Sequence, residues 1–76
     1  MNSKILARFV ASKRKAQKLT QPQLADKAGV GLRFLRELGA GKPTLRVDKV
    51  NDVLRLFGHE LGAVPMDRNN LGDANS

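Results

Sequence analysis

The sequence predicts an all-α fold, a bundle of four to five short helices, with one short β-strand added at its C-terminal end. Apolar residues recur three and four positions apart in successive stretches, which is the period of a helix face. Most glycines and prolines fall between those stretches, where they punctuate helices rather than interrupt them. Composition agrees: Ala, Val, Ile, Leu, Met and Phe supply nearly all of the 41% hydrophobic content, and the sheet-favouring Trp and Tyr are absent. At 76 residues there is room for one domain, because a chain this short buries only about 60% of its unfolded surface and keeps a thin reserve of stability. With no cysteine, neither a disulfide nor a thiolate-held metal can reinforce it, so a second copy of the chain is the economical source of further buried surface.

The first helix is read over Ser3 to Lys18, with Ile5, Leu6, Phe9, Val10 and Ala16 as its apolar side and Lys4, Arg8, Lys13, Arg14, Lys15 and Lys18 elsewhere. Thr20-Gln21-Pro22-Gln23 is a helix start: Thr20 can cap, Gln23 can reach back in a capping box, and Pro22 sits in the first turn, where a missing N–H costs nothing. Leu24, Ala25 and Ala28 face the core from this second helix, and Gly29 suits a left-handed stop. A third helix runs from Leu32 to Leu38, with Phe34, Leu35 and Leu38 at helical spacing. Leu24, Ala28, Val30, Leu35 and Leu38 are assigned to the core. The run Gly39-Ala40-Gly41-Lys42-Pro43 breaks the third helix. Thr44 is then placed as the cap of a fourth, whose inward stripe is Leu45, Val47, Val50, Val53, Leu54 and Phe57 and whose end is Gly58. From His59 to Met66 the chain reads as a short edge strand closed by Pro65. A lone strand needs a partner, and the symmetric copy is the nearest one. The domain is thus assigned to residues 1–66, and the polar, Asn-rich residues 67–76 to a mobile tail.

Fourteen Lys and Arg against seven Asp and Glu give a net charge of +7, which suits a polyanionic partner but equally fits a basic soluble protein. The first helix has almost no acid among its bases, and a polyanion nearby would account for that. No apolar run is long enough to span a bilayer, and Lys4, Arg8 and Lys13 interrupt any secretory signal, so a cytoplasmic location is expected. Enzymatic chemistry lacks its parts: His59 is the single histidine, and no acid pair accompanies a nucleophile or shows metal-ligand spacing. No enzyme, no metal and no cofactor is expected.

The informative pattern is two short capped helices meeting at Gly29, then a Gly-rich loop and another amphipathic helix. In a helix-turn-helix the first helix lies across the phosphate backbone, and the second places its N-terminal residues in a major groove about 12 Å wide. The run from Leu19 to Leu38, LTQPQLADKAGVGLRFLREL, continued by Gly41-Lys42-Pro43-Thr44-Leu45, resembles the lambda-repressor-like, Cro/C1-type (Xre) helix-turn-helix family. The likeness extends over Ile5 to Leu61. Within that family, Phe34-Leu35-Arg36-Glu37-Leu38, Gly41 to Leu45 and Leu56-Phe57-Gly58-His59-Glu60-Leu61 look like the HipB-type antitoxins, which neutralise HipA-type kinase toxins and repress their own operons. In those proteins a C-terminal strand pairs across the dimer, and Glu60 to Pro65 is its counterpart here.

The resemblance implies roles for particular residues. Arg33, Arg36 and Leu32 at the front of the third helix would face base edges, Arg33 foremost. Leu32 would touch a thymine methyl or be half-buried, since the family often has polar residues where this chain has Gly31 and Leu32. Gln21 would bind a phosphate, and Gln23 would do so or serve only the capping box. Lys42, Thr44 and Arg14 are either phosphate contacts or solvated side chains. Phe34 is read as a packing or dimer-supporting residue. Phe57, Leu61 and Val64 would serve dimerisation. The partners implied are double-stranded DNA with a palindromic operator, a second copy of the chain, and a HipA-like kinase toxin. A standalone regulator of the same fold is the nearest alternative. A basic module for RNA or protein is the more distant one, disfavoured for single strands by the lack of Tyr and Trp for base stacking.

Overall fold

The computed structural model describes residues 3–65, and within them four helices and no strand. Helix α1 spans Ser3–Ala16, α2 Gln21–Ala28, α3 Leu32–Gly39 and α4 Val47–Arg55. Helix α3 packs on α1 and α2, and α2 also packs on α4. Leu6 and Val10 of α1, Leu24 and Ala25 of α2, Leu35 and Leu38 of α3, and Val50, Val53 and Leu54 of α4 form one buried core. Of the expected core residues, Ala28 and Val30 lie half-buried against it.

The second helix begins as its sequence dictates. Gln23 N donates to Thr20 Oγ1 at 3.2 Å and Thr20 N donates to Gln23 Oε1 at 2.8 Å, a complete capping box. Gly29 closes the helix in the left-handed region, φ 73°, and Val30 N returns to Ala25 O at 3.0 Å. Two left-handed turns therefore bracket α2, because Lys18 also has positive φ, 57°.

Four expectations are corrected. The first helix stops at Ala16 rather than Lys18, since Lys18 turns left-handed, Leu19 N bonds to Arg14 O at 3.0 Å, and Leu19 tucks half-buried against the core. Thr44 does not cap α4: the chain stays extended through Arg46, which occupies the cap position without a side-chain bond, while Leu45 packs against the core. Two residues of the expected apolar stripes face solvent, Ile5 at 59% and Val47 at 55% exposure, and Ala16 is exposed too.

The fourth correction concerns the C-terminal strand. Residues 59–65 have no regular structure. A strand exists through ladder bonds to a neighbour, and here Leu61 N instead donates to the Asn51 side-chain oxygen at 2.8 Å. The turn after α4 ends at Gly58, φ 74°, with His59 N bonded to Leu54 O at 3.0 Å. Met66 and the tail assigned to 67–76 lie outside the described residues.

The two left-handed residues give opposite expectations in urea unfolding. An L-residue in this region is strained by about 1–2 kcal/mol, so Gly29→Ala is expected to destabilise by about 1 kcal/mol. Lys18→Gly relieves that strain against glycine's larger unfolded entropy, about 0.5–1 kcal/mol, and is expected to stabilise by up to about 1 kcal/mol.

Candidate nucleic-acid interface

At about 100° per residue, α3 buries Leu35 and Leu38 on one side and turns Arg33 and Arg36 to the other, with Leu32 at the border. Arg33 is the most open of them, with a side chain 94% exposed. Arg36 is exposed, and Leu32 is half-buried with its inner part against the core, which leaves only part of that side chain for contact. Gly31 precedes the helix in extended geometry and makes no side-chain cap, so the first-turn N–H groups of α3 are not covered by a cap side chain.

A cleft runs along each flank of α3. On the first, Gln21 at the start of α2 meets Arg14 and Lys15 from the end of α1, with Gly39 opposite. A methyl at position 39 would lie 3.7 Å from Gln21 Nε2, an ordinary contact, which places Gly39 beside Gln21 without a steric need for glycine. Arg14 is partly committed, since its Nη1 donates to Leu19 O at 2.8 Å and clamps the α1–α2 turn. Its other donors face the cleft's chemistry alongside Lys15.

The second cleft is lined by Arg33 and Glu37 of α3, Lys42 and Thr44 of the following loop, and Arg46 and Lys49. Glu37 Oε2 lies 3.3 Å from Lys42 Nζ and 3.8 Å from Arg33 Nε. Lys49 Nζ sits 5.8 Å from the centre of the Phe34 ring, a cation–π contact that holds the half-buried ring at the cleft wall. Arg46 pairs with Asp48 at 2.7 Å.

The structure therefore brings Arg33, Arg36, Leu32, Gln21, Arg14, Lys42 and Thr44 to one region around α3. Gln23 stands apart, because its side-chain oxygen serves the capping box. Sequence reasoning overlooked Glu37, Lys49 and Arg46 as part of this surface, and took Lys15 only as one of the bases of α1. Glu37, one turn after Arg33 on α3, was open to reading from its spacing; loop geometry and the docking of α1 bring in the others.

Phe57, Leu61 and Val64 lie elsewhere. Phe57 and Leu61 are half-buried against the core, and Val64 is 79% exposed. Leu61 and Val64 border an apolar groove with Ile5, Phe9, Val47 and Leu54. His59 stands edge-on to Phe9 in this groove, ring centres 4.7 Å apart, with Nδ1 2.6 Å from Phe57 O.

Two short helices joined at a left-handed glycine, the second of them open to solvent between a basic cleft and one of mixed sign, are compatible with a helix-turn-helix fold. The chain is similar to a protein of Sinorhizobium fredii named "Uncharacterized HTH-type transcriptional regulator y4mF", with 56% identity over 45 residues. The alignment covers 59% of this chain and 59% of that relative, so the chain spans about three fifths of the length of the curated relative it matches. No protein-family model matches the chain. Among the described residues, no helix is long and apolar enough to cross a membrane.

One titration tests the second cleft. The Arg46 guanidinium, hydrogen-bonded to Asp48, holds that carboxyl below the usual carboxylate range. A folded pKa lowered in this way means that the pair favours folding at neutral pH and that its contribution is lost as pH falls through the folded value. In a carbon-detected NMR titration Asp48 is expected to protonate at lower pH than an exposed aspartate, and Arg46→Ala to move its midpoint upward.

Proposed function

We propose that this chain is a sequence-specific DNA-binding transcriptional regulator that inserts α3 in the major groove. The observation that carries the reading is the solvent-open arc of α3, with Arg33 94% exposed and Lys or Arg side chains in the clefts on both sides. An Arg at the front of such a helix can make a bidentate contact to guanine, and bases at its flanks can fix register on phosphates without reading sequence. In this assignment Arg33 and Arg36 read bases, Leu32 offers its exposed part to a thymine methyl, and Gln21, Lys15, Arg14, Lys42 and Thr44 hold the backbone. Gln23 keeps the α2 cap. The name of the S. fredii relative and the net charge of +7 both support the reading.

The finer form of the proposal is a homodimeric repressor on a palindromic operator, with half-sites about 10 bp, or a multiple, apart. Its support is the apolar groove bordered by Leu61 and Val64, which a second copy would cover. The likeness of residues 34–38, 41–45 and 56–61 to HipB-type antitoxins extends the proposal to a HipA-type kinase as protein partner, with the regulator residing in the cytoplasm and performing no catalysis itself.

Fluorescence anisotropy on the chain's own upstream region and on random duplex, across a salt series, tests the central claim. A preference of at least about 10³-fold for one site, with a log–log salt slope of several released counterions, is the expected result. Arg33→Ala with Arg36→Ala is expected to remove the preference and leave weak, salt-sensitive binding; an unchanged preference would reject α3 as the reading helix.

Sedimentation tests the dimer separately. A stable monomer at micromolar concentration would sink it, whereas a dimer that Val64→Asp dissociates supports the groove and C-terminal segment as the interface. A kinase-like reading frame beside this one, whose product copurifies with the chain, is the expected sign of the antitoxin role.

A further inference from the structure

Glu37 is the acid of the proposed reading surface, and its geometry gives it a task of its own. It lies one turn beyond Arg33 on α3, and its side chain is 33% exposed where that of Arg33 is 94% exposed. The Nε edge of Arg33 is turned toward Glu37 Oε2 at 3.8 Å. At that distance the pair is ionic rather than hydrogen-bonded, and it engages neither terminal nitrogen, so both stay available for a bidentate contact to guanine. The same carboxylate oxygen meets Lys42 Nζ at 3.3 Å, and Lys42 N donates to the Glu37 carbonyl at 3.1 Å. Glu37 thereby ties the loop after α3 to the helix itself.

Stability does not explain this acid. Exposed ion pairs contribute little to folding, and an Arg placed N-terminal to its Glu at this spacing is the poorer order for a helix. Toward DNA its effect is selective. A carboxylate beside the phosphate backbone weakens binding to every duplex alike, while its charge behind Arg33 biases the guanidinium in one direction, so that less freedom is lost when it meets the correct base.

We infer that Glu37 is a specificity-determining positioning residue, which orients Arg33 toward base edges and suppresses binding to DNA lacking the matching base. The inference rests on the DNA-reading function proposed above. Lys49 and Arg46 share the cleft but are engaged elsewhere, with the Phe34 ring and Asp48, which leaves Glu37 as the link between Arg33 and the loop.

The test begins by selecting duplexes from a random-sequence pool with the full wild-type chain. Anisotropy then compares selected with random duplex for wild type, Glu37→Gln, Arg33→Ala and the double variant. Glu37→Gln is expected to bind random duplex more tightly and to lower the selected-to-random ratio by roughly fivefold or more, the low end of what one bidentate base contact discriminates. In the Arg33→Ala background the same substitution is expected to leave the ratio unchanged, since neighbours that act together are not additive. An unaltered ratio in the single variant, or an equal fall with and without Arg33, overturns the inference while DNA reading stands. Failure of the wild type to enrich any duplex overturns DNA reading and this inference together, and it is seen before any substitution is made. Thermal unfolding of Glu37→Gln close to wild type is expected, and a folding defect large enough to account for the loss of ratio would also overturn the proposal.

Discussion

The left-handed turn at Gly29 is the constraint on which the remaining structure depends. Helices α2 and α3 have eight residues each, and isolated helices of fewer than roughly 12 residues are marginal in water. Each persists because the turn brings it against the other, so that Leu24 and Leu38 are fully buried together with Val50 and Val53 of α4. Side chains of this kind contribute about 1.5–3 kcal/mol each when fully buried. With so small a core, the turn that brings them together governs the whole domain. The return bond from Val30 N to Ala25 O fixes the entry into α3, and so the direction in which Arg33 leaves the surface.

Charge is distributed according to a different logic. Helix α1 contains no acid, and Lys15 and Arg14 at its end open beside Gln21. Most of the described acids are instead paired: Asp48 with Arg46, Asp52 with Arg55, and Glu37 with Arg33 and Lys42. Such exposed pairs add little to folding, so their main physical effect is on the local field. Acids neutralise bases at defined points along α3 and α4, while the α1 end keeps its full positive charge. The two flanks of α3 therefore differ, one a plain basic cleft and the other a cleft of mixed sign.

What the sequence made legible was whatever short-range chemistry decides. Thr20, Gln23 and Gly29 stop and start α2 through bonds within a few residues, and they were readable from spacing. The four helices were readable from apolar period, and the helix-turn-helix from its order of caps and glycine. The end of α1 was not, because a lysine in the left-handed region has no signature in sequence; Lys18 adopts it because Leu19 must reach the core and Arg14 holds the turn. The start of α4 was missed for a similar reason, since Thr44 has the chemistry of a cap while the burial of Leu45 keeps the chain extended two residues further. Ile5 and Val47 obey the apolar period yet face outward, because one small core has too few inward positions for every apolar residue of four helices. The places of Leu32, Arg33 and Arg36 on α3 and of Gln21 at the start of α2 followed from the helix boundaries. Glu37 in its double pairing and Lys49 against Phe34 depend on three-dimensional placement and did not.

Helix α1 connects the two surfaces that those outward residues create. Leu6 and Val10 are buried between them. Ile5 and Phe9 border the apolar groove, while Ala7, Ala11, Arg14 and Lys15 line the cleft beside α3. The groove has no residue from α2 or α3 on its walls, so whatever occupies it leaves the face around Arg33 uncovered. Covering it would remove Ile5, Val47 and Val64 from water, and exposed apolar surface gathered in one groove is the feature by which interaction sites depart from ordinary protein surface. A second copy seated there would hold two α3 helices in one frame, with their separation set by α1, α4 and residues 59–64 together. In the proposed function, half-site spacing would then be a property of the hydrophobic groove and base reading a property of α3, with the buried side of α1 joining the two.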